Sequence, residues 1–246
     1  MSENLCIISP HIDDAVLSIG GLLSILNCHK LNINISYIFS VSDWTNPNSI
    51  VPCTVEKDVE FVTRERKNEE KTAGEALGYR YDFAEFLDWP IRDQSDGSFS
   101  KLKMDLYHYF TEKFNFYDTL FFPIGISHPD HYIIGEIGRI LSEENFKIIY
   151  YEDLPYFARH GATGRSQIYD QLIKCNLKPK TIPINIQDKL EAIRIYKTQV
   201  SQEWINDIEN YSYSLTDNNH FERLWIPENI DFEIVTLLKE SQQKNN

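Results

Sequence analysis

Leu5-Cys6-Ile7-Ile8-Ser9-Pro10-His11-Ile12-Asp13-Asp14 sets the architecture of the chain. Its first four residues are an unbroken apolar run, the pattern of a strand buried on both faces of a parallel sheet. Beyond Asp13-Asp14, the positions Val16, Leu17, Ile19, Leu22, Leu23 and Leu26 recur at helical spacing, and Asp is a good residue to start a helix. One His and two Asp therefore fall at the C-terminal end of a strand, where open α/β sheets bind their ligands. His nitrogen and Asp oxygen are ordinary zinc ligands. His11 and Asp14, three apart on a turn entering a helix, can reach one ion and leave Asp13 free to handle a proton. The plainer alternative makes Asp13 or Asp14 a helix cap and His11 a satisfied turn residue.

Working outward, Ile33–Phe39 reads as a second strand and 40–55, with Pro47 and Pro52, as a loop. Val59–Leu77 is a charge-rich helix stopped by Gly78, a suitable C-cap. Asp82–Leu87 is a weak strand, 102–116 an aromatic-rich helix, Thr119–Phe122 a strand, and Ile133 to Leu141 the apolar stripe of a further helix. Lys147–Tyr151 is another strand. The alternation predicts an α/β protein with a mostly parallel sheet flanked by helices. From about residue 154 the pattern is irregular: 157–166 reads as a loop, 187–199 as a helix and 241–246 as a disordered tail. No repeat or flexible linker divides the chain, so a single domain over 1–246 is expected. Gly20-Gly21 inside the first helix implies close packing of that helix on the sheet.

The chain has 246 residues, with 37 Asp plus Glu against 24 Lys plus Arg, a formal net charge of −13. Such acidity argues against a nucleic-acid partner, because phosphate binding needs clustered cations. No apolar run approaches the ~20 residues of a membrane span, and the N-terminus carries no targeting signal, so a cytoplasmic protein is expected. Four cysteines without a CxxC pair read as buried free thiols in a reducing compartment. The glycine-rich nucleotide fingerprints are missing.

A second polar cluster, Ser127-His128-Pro129-Asp130-His131, follows the Thr119–Phe122 strand. Pro129 suits the first helical position, which makes His128 the cap and sets His128 and His131 three apart. The two clusters sit at ends of strands from which they can converge. His11, Asp14 and His131 with open positions for water form the pattern of a catalytic zinc site, leaving Asp130 and His128 for orienting or acid–base duties.

Pro10-His11-Ile12-Asp13-Asp14-Ala15 resembles the PHPDDE motif of the LmbE-like, or PIG-L, family of metal-dependent N-deacetylases, and His128-Pro129-Asp130-His131 resembles its HPDH block. Two further segments are similar: Arg66-xx-Glu69-xxx-Ala73-xxx-Leu77-Gly78 and Lys189-xx-Ala192-xxx-Tyr196-xx-Gln199. The resemblance covers roughly residues 3–200 and implies a Rossmann-like fold. It further implies that His11, Asp14 and His131 hold Zn2+ (Fe2+ suits the same ligands), that Asp13 is the general base, that His128 stabilises the tetrahedral intermediate, and that Asp130 orients His128. Arg66 matches an arginine close to the first motif and is taken as substrate-binding. The implied reaction removes the acetyl group of an N-acetylglucosamine-like sugar or conjugate through water activated by the ion. An ion near Asp13 is expected to keep its carboxylate from a strongly raised pKa. Ile12 replaces a proline that offers no ligand. Ala15 replaces a glutamate, which removes a carboxylate able to tune the metal.

The segment from Tyr150 to Tyr156, at the end of the 147–151 strand, is expected to face the same cleft, where its aromatic and acidic groups can bind a sugar, with Tyr151 and Glu152 singled out. Arg92 reads as an exposed residue, and of the charge run 64–71 only Arg66 is singled out from a solvated helix face. Two other readings stand beside the deacetylase: a non-catalytic sugar- or nucleotide-binding relative, supported by Ala15, and a metal-dependent hydrolase of another bond such as an ester. The substrate's identity lies in loops such as 40–55 and 157–166, and a homo-oligomer is compatible with the sequence.

Overall fold

A computed structural model describes residues 4–29, 31–52, 58–95, 97–213 and 219–228. Seven strands form one sheet in the order β3-β2-β1-β4-β5-β7-β6. The strands are β1 (Asn4–Ser9), β2 (Asn32–Tyr37), β3 (Arg80–Phe83), β4 (Thr119–Pro123), β5 (Ile148–Tyr151), β6 (Leu177–Pro183) and β7 (Phe221–Pro227). The helices are α1 (Asp14–Cys28), α2 (Val59–Leu77), α3 (Ser98–Lys113), α4 (Pro129–Glu143), α5 (Tyr156–Arg159), α6 (Ala162–Lys174), α7 (Ile186–Ile193) and α8 (Gln202–Tyr213), with a short 3-10 turn at Trp89–Ile91. β1 to β5 pair in parallel, and β7 runs antiparallel to both β5 and β6. The α/β, Rossmann-like expectation therefore holds for the parallel part, with an antiparallel edge added.

The chain leaves β1 towards β2 and β3, then returns to lay β4 and β5 on the other side. The order thus reverses between β1 and β4, and a crevice opens outside their C-terminal ends. Both polar motifs leave the sheet at that point. β1 earns this central place by sequence: Leu5, Cys6, Ile7 and Ile8 are fully buried, with helices covering both faces.

Helix α1 bends at Ile19, whose φ of −131° is not helical. A bend of this kind frees backbone groups within the helix, and they need partners. Glu222 of β7 takes them: its carboxylate accepts the N–H of Gly21 (2.9 Å) and of Leu22 (2.7 Å). Lys189 of α7 completes the arrangement, donating to Glu222 (2.7 Å) and to the carbonyl of Ser18 (3.0 Å). A side chain at Gly21 would come within 2.7 Å of Ile184, so the close approach is to the segment between β6 and α7, not to the sheet.

Several boundaries differ from the sequence expectation. β3 lies at Arg80–Phe83, ahead of the expected 82–87, because Glu85 takes a positive φ of 62° that breaks extension; Leu87 keeps an isolated bridge to Val41. The region after 153 is regular: the expected loop at 157–166 contains the end of α5 and the start of α6, and β6, β7 and α8 follow. α6 fully buries none of its residues and rests on the core only through the half-buried Ile168, Tyr169 and Leu172, a short stripe among polar neighbours. β6 (LKPKTIP) is an edge strand, the one place where a sheet accepts proline and where lysines discourage further pairing. Cys28 and Cys175 are exposed, not buried, and only Cys6 lies in the core; Cys53 and the expected tail lie outside the described residues.

Candidate active site and metal centre

The loop that carries the second motif is held down by glycine. Gly125 has φ of +79°, and a Cβ there would sit 2.6 Å from the carbonyl of His131 and 2.9 Å from Gly135. The loop after β4 therefore rests directly on α4. His128 caps that helix: its Nδ1 accepts the N–H of Asp130 (3.2 Å), and Pro129 occupies the first helical position, as the sequence predicts.

Across the crevice, His11 Nδ1 lies 3.0 Å from Asp14 Oδ2, His131 Nε2 lies 3.0 Å from the same oxygen, and the two nitrogens are 3.3 Å apart. A tetrahedral zinc with bonds of about 2.0–2.1 Å has ligand-to-ligand edges of about 3.3 Å, so the triangle has the size an ion would span. Ligand atoms of His11, His128 and His131 come within 4.8 Å of one another, as do those of His11, Asp88, His128 and Asp130.

The far side of each imidazole meets a carboxylate. His131 Nδ1 is 2.6 Å from Asp153 Oδ1, and the other Asp153 oxygen accepts the N–H of Gly125 (3.0 Å). His11 Nε2 is 3.2 Å from both Asp88 and Asp130. Asp88 is fixed by the Ser42 hydroxyl (2.6 Å), and Asp130 by the N–H of Trp89 (3.1 Å) and the guanidinium of Arg92 (2.6 Å). Such partners set the tautomer and direction of a metal-binding histidine. Asp130, expected to orient His128, sends its carboxylate to His11 instead; only its backbone N–H meets His128.

Asp13 occupies the N-cap position of α1 but makes no side-chain cap bond, so the plain cap reading does not describe it. Its Oδ1 instead meets Arg66 Nη2 at 3.1 Å. Arg66, taken from the sequence as a substrate contact, is buried behind Asp13 and also lies 3.9 Å from Asp88.

Burial pushes the Asp13 carboxyl up to about 6, although Arg66 pulls the other way. Asp14 is held well below the usual carboxylate range, its burial more than offset by His131 and His11. Burial would lower His131, but Asp14 and Asp153 raise it to about 9. His128 is pushed down to about 4, by burial first and then by His11 and His131. It is therefore neutral at pH 7.

Tyr151 and Glu152, expected to contact substrate, are placed elsewhere. Tyr151 is fully buried and donates to the carbonyl of Ile8 (2.7 Å). Glu152 is buried among the Tyr211 hydroxyl (2.6 Å), the Trp225 indole N–H (3.1 Å) and Arg223 (3.4 Å). Both side chains are consumed by the scaffold. The residues beside the cluster that the sequence did not single out are Asp88, Asp153, Arg92 and Tyr156. The Arg92 side chain is 11% exposed and covers the rings of Phe39 and Trp89, and the Tyr156 ring lies 5.1 Å from that of His131.

The sequence matches the model of the PIG-L family, described as GlcNAc-PI de-N-acetylase, over residues 6–141, more than half its length. The chain belongs to this family. Its class is that of an N-deacetylase, a hydrolase of an acetamide. The matched part of this PIG-L chain holds both histidine motifs, Arg66 and Asp88, while Asp153 and Tyr156 lie beyond it. Among curated proteins none matches. Solved structures share the fold. The A40926 pseudoaglycone deacetylase is 20% identical, with a TM-score of 0.68 over 92% of this chain and 97% of that one. Teicoplanin deacetylase in a zinc-inhibited form is 20% identical, with a TM-score of 0.69 over 92% of this chain and 100% of that one. The N,N'-diacetylchitobiose deacetylase of Pyrococcus horikoshii is 16% identical, with a TM-score of 0.62 over 92% and 84%. Among the described residues, no helix of the PIG-L chain is long and apolar enough to cross a membrane.

Proposed function

We propose that the protein is a metal-dependent N-deacetylase in which His11, Asp14 and His131 hold the ion and the substrate carries an acetamido group on a glucosamine-like sugar or its conjugate. The observation that carries this reading is the triangle of His11, Asp14 and His131 ligand atoms, 3.0–3.3 Å apart, in one buried cluster with the Asp13 carboxylate. Membership of a GlcNAc-PI de-N-acetylase family and the deacetylase activities of the similar structures support the acetamide as the bond and an amino sugar as its bearer. Two imidazoles and one carboxylate suit zinc, and iron(II) also fits.

When bound, a divalent ion there supplies Lewis acidity, polarising the acetyl carbonyl and acidifying water. The protein's own groups do the rest. The Asp13 carboxyl, near 6, is mostly ionised at neutral pH and accepts the proton lost by the attacking water. Oxygen adds to the acetyl carbon, the C–N bond breaks, the proton passes to the nitrogen, and acetate and a free amine leave. Arg66 keeps the Asp13 carboxylate in one orientation. Because His128 accepts the N–H of Asp130 at Nδ1, its proton is on Nε2, where it can donate to the acetyl oxygen as charge grows there. Asp153, Asp88 and Asp130 hold the two ligand imidazoles in place.

The test is acetate release from N-acetylglucosamine and N-acetylated oligosaccharides by zinc- or iron-loaded protein. Release that stops on chelation and returns with metal is expected. Metal-loaded protein that releases no acetate from any of these substrates would overturn the reading.

A further inference from the structure

Tyr156 stands against the histidine cluster and has no part in the chemistry derived above. It opens α5, three residues after Asp153, whose carbonyl accepts the N–H of Phe157 (2.8 Å) while its carboxylate holds His131. Phe157 is fully buried and anchors this short helix in the core. Tyr156 is half-buried and lies beside the second histidine motif. Its ring meets that of His131 edge-on, with centroids 5.1 Å apart and planes at 80°, and its centre is 6.4 Å from that of the His128 ring.

The hydroxyl sets this tyrosine apart. Tyr151, Tyr196 and Tyr211 direct theirs into the scaffold, at the Ile8 carbonyl, Glu70 and Glu152. The Tyr156 hydroxyl has no hydrogen-bond partner among the described residues and, unlike that of Tyr37, is not sealed from solvent. It is turned across the crevice. After burial, the charges that act on it most are Asp14, His11 and Asp13 of the first motif, ahead of Asp153, which is only three residues away in the chain. Burial and then Asp14 raise its pKa, so the phenol keeps its proton at neutral pH. The cluster is thus faced by a neutral donor that the protein itself leaves unmatched, and a half-buried donor in a cleft calls for an acceptor on the ligand.

We propose that the Tyr156 hydroxyl is a second hydrogen-bond donor to the acetyl oxygen of the substrate, beside His128 Nε2. Rings with centres 6.4 Å apart let a hydroxyl and a ring N–H meet on one oxygen at ordinary hydrogen-bond length, roughly 2.7–3.0 Å. As the oxygen of water adds to the acetyl carbon, the carbonyl electron pair moves onto the acetyl oxygen, and the bond from Tyr156 strengthens without transfer of its proton. When the C–N bond breaks, that oxygen leaves as one of the two oxygens of acetate and is still within reach of the hydroxyl. The inference rests on the deacetylase reading, but acetate binding tests it without turnover.

The experiment compares metal-loaded wild type with Tyr156→Phe, by acetate release from N-acetylglucosamine and by NMR titration with acetate. The variant keeps the ring against His131 and removes only the hydroxyl, so melting temperature and metal content should match wild type. Its kcat should fall about 10–100-fold with little change in KM, because the lost bond is strongest in the transition state. Its acetate affinity should fall about three- to tenfold. Unchanged kcat, unchanged acetate affinity, or loss of metal would each overturn the assignment, the last because the hydroxyl would then serve the ligand cluster. If the variant releases acetate as fast as wild type, the donor fails and the deacetylase reading stands. If wild type releases none yet binds acetate through Tyr156, the reverse holds.

Discussion

Glu152 and Asp153 are neighbours in the chain and serve opposite kinds of region. Glu152 belongs to a scaffold cluster between β5, β7 and α8, where one acceptor is surrounded by three donors and every contact is matched. Asp153 belongs to the histidine cluster, where Asp14, two imidazoles and three further carboxylates crowd together and ligand atoms face each other at 3.0–3.3 Å. The scaffold cluster satisfies itself. In the histidine cluster the ligand atoms of His11, Asp14 and His131 converge within 3.0–3.3 Å of one another, which suits a site built to receive a cation. Two buried acidic residues one position apart therefore call for opposite tests.

The largest effect is expected at Asp13. Asp13→Ala should lower kcat by about 10²–10⁴-fold, the usual worth of a general base, while metal content stays at the wild-type level; steady-state acetate release and elemental analysis check both. Asp153→Asn should come next. It leaves His131 without its orienting carboxylate and should weaken metal affinity by about 10–100-fold with little change in melting temperature, measured by competition with a chelator. Glu152→Gln should do the opposite. Three donors would then face a neutral amide, lowering stability by about 1–3 kcal/mol in denaturant titration with metal affinity unchanged. If Glu152→Gln lost metal, or Asp153→Asn lost only stability, the contrast between the two regions would break.

The smallest effect is a pH dependence from a third buried group. Glu70, on α2, accepts the Tyr196 hydroxyl (2.6 Å), and burial raises its carboxyl to about 8. The unfolded chain, with an ordinary carboxyl, releases that proton first as pH rises. Stability from Glu70 is thus complete below the ordinary carboxylate range and is lost as pH climbs through 8. The slope should be about 1 kcal/mol per pH unit between pH 6 and 7.5. Glu70→Gln should remove that slope, so the stability of variant minus wild type should rise with pH; a constant difference would contradict the assignment.

Much of this was legible in the sequence where a segment obeyed one rule at a time. The Leu5–Ile8 run, the Asp14–Leu26 stripe and the Gly78 stop give β1, α1 and the end of α2 with little ambiguity. The two histidine motifs fall at strand ends because those runs are so clear. What escaped depended on distant partners. Asp88 and Asp153 reach His11 and His131 only because β3 and β5 flank β2 and β4 in the sheet, an order no local pattern records. Glu69 and Glu70 look like a solvated face, yet Thr198 and Tyr196 bury them. The antiparallel β6–β7 edge was hidden by its own prolines and lysines.

The central claim is that His11, Asp14 and His131 form one metal site. Its most direct test is metal content per chain, by elemental analysis of wild type beside His131→Ala after both are incubated with zinc or iron(II) and desalted. The account predicts about one equivalent in wild type and less than about a tenth in the variant, with both proteins folded. Wild type that retains no metal, or a variant that retains as much as wild type, would contradict it.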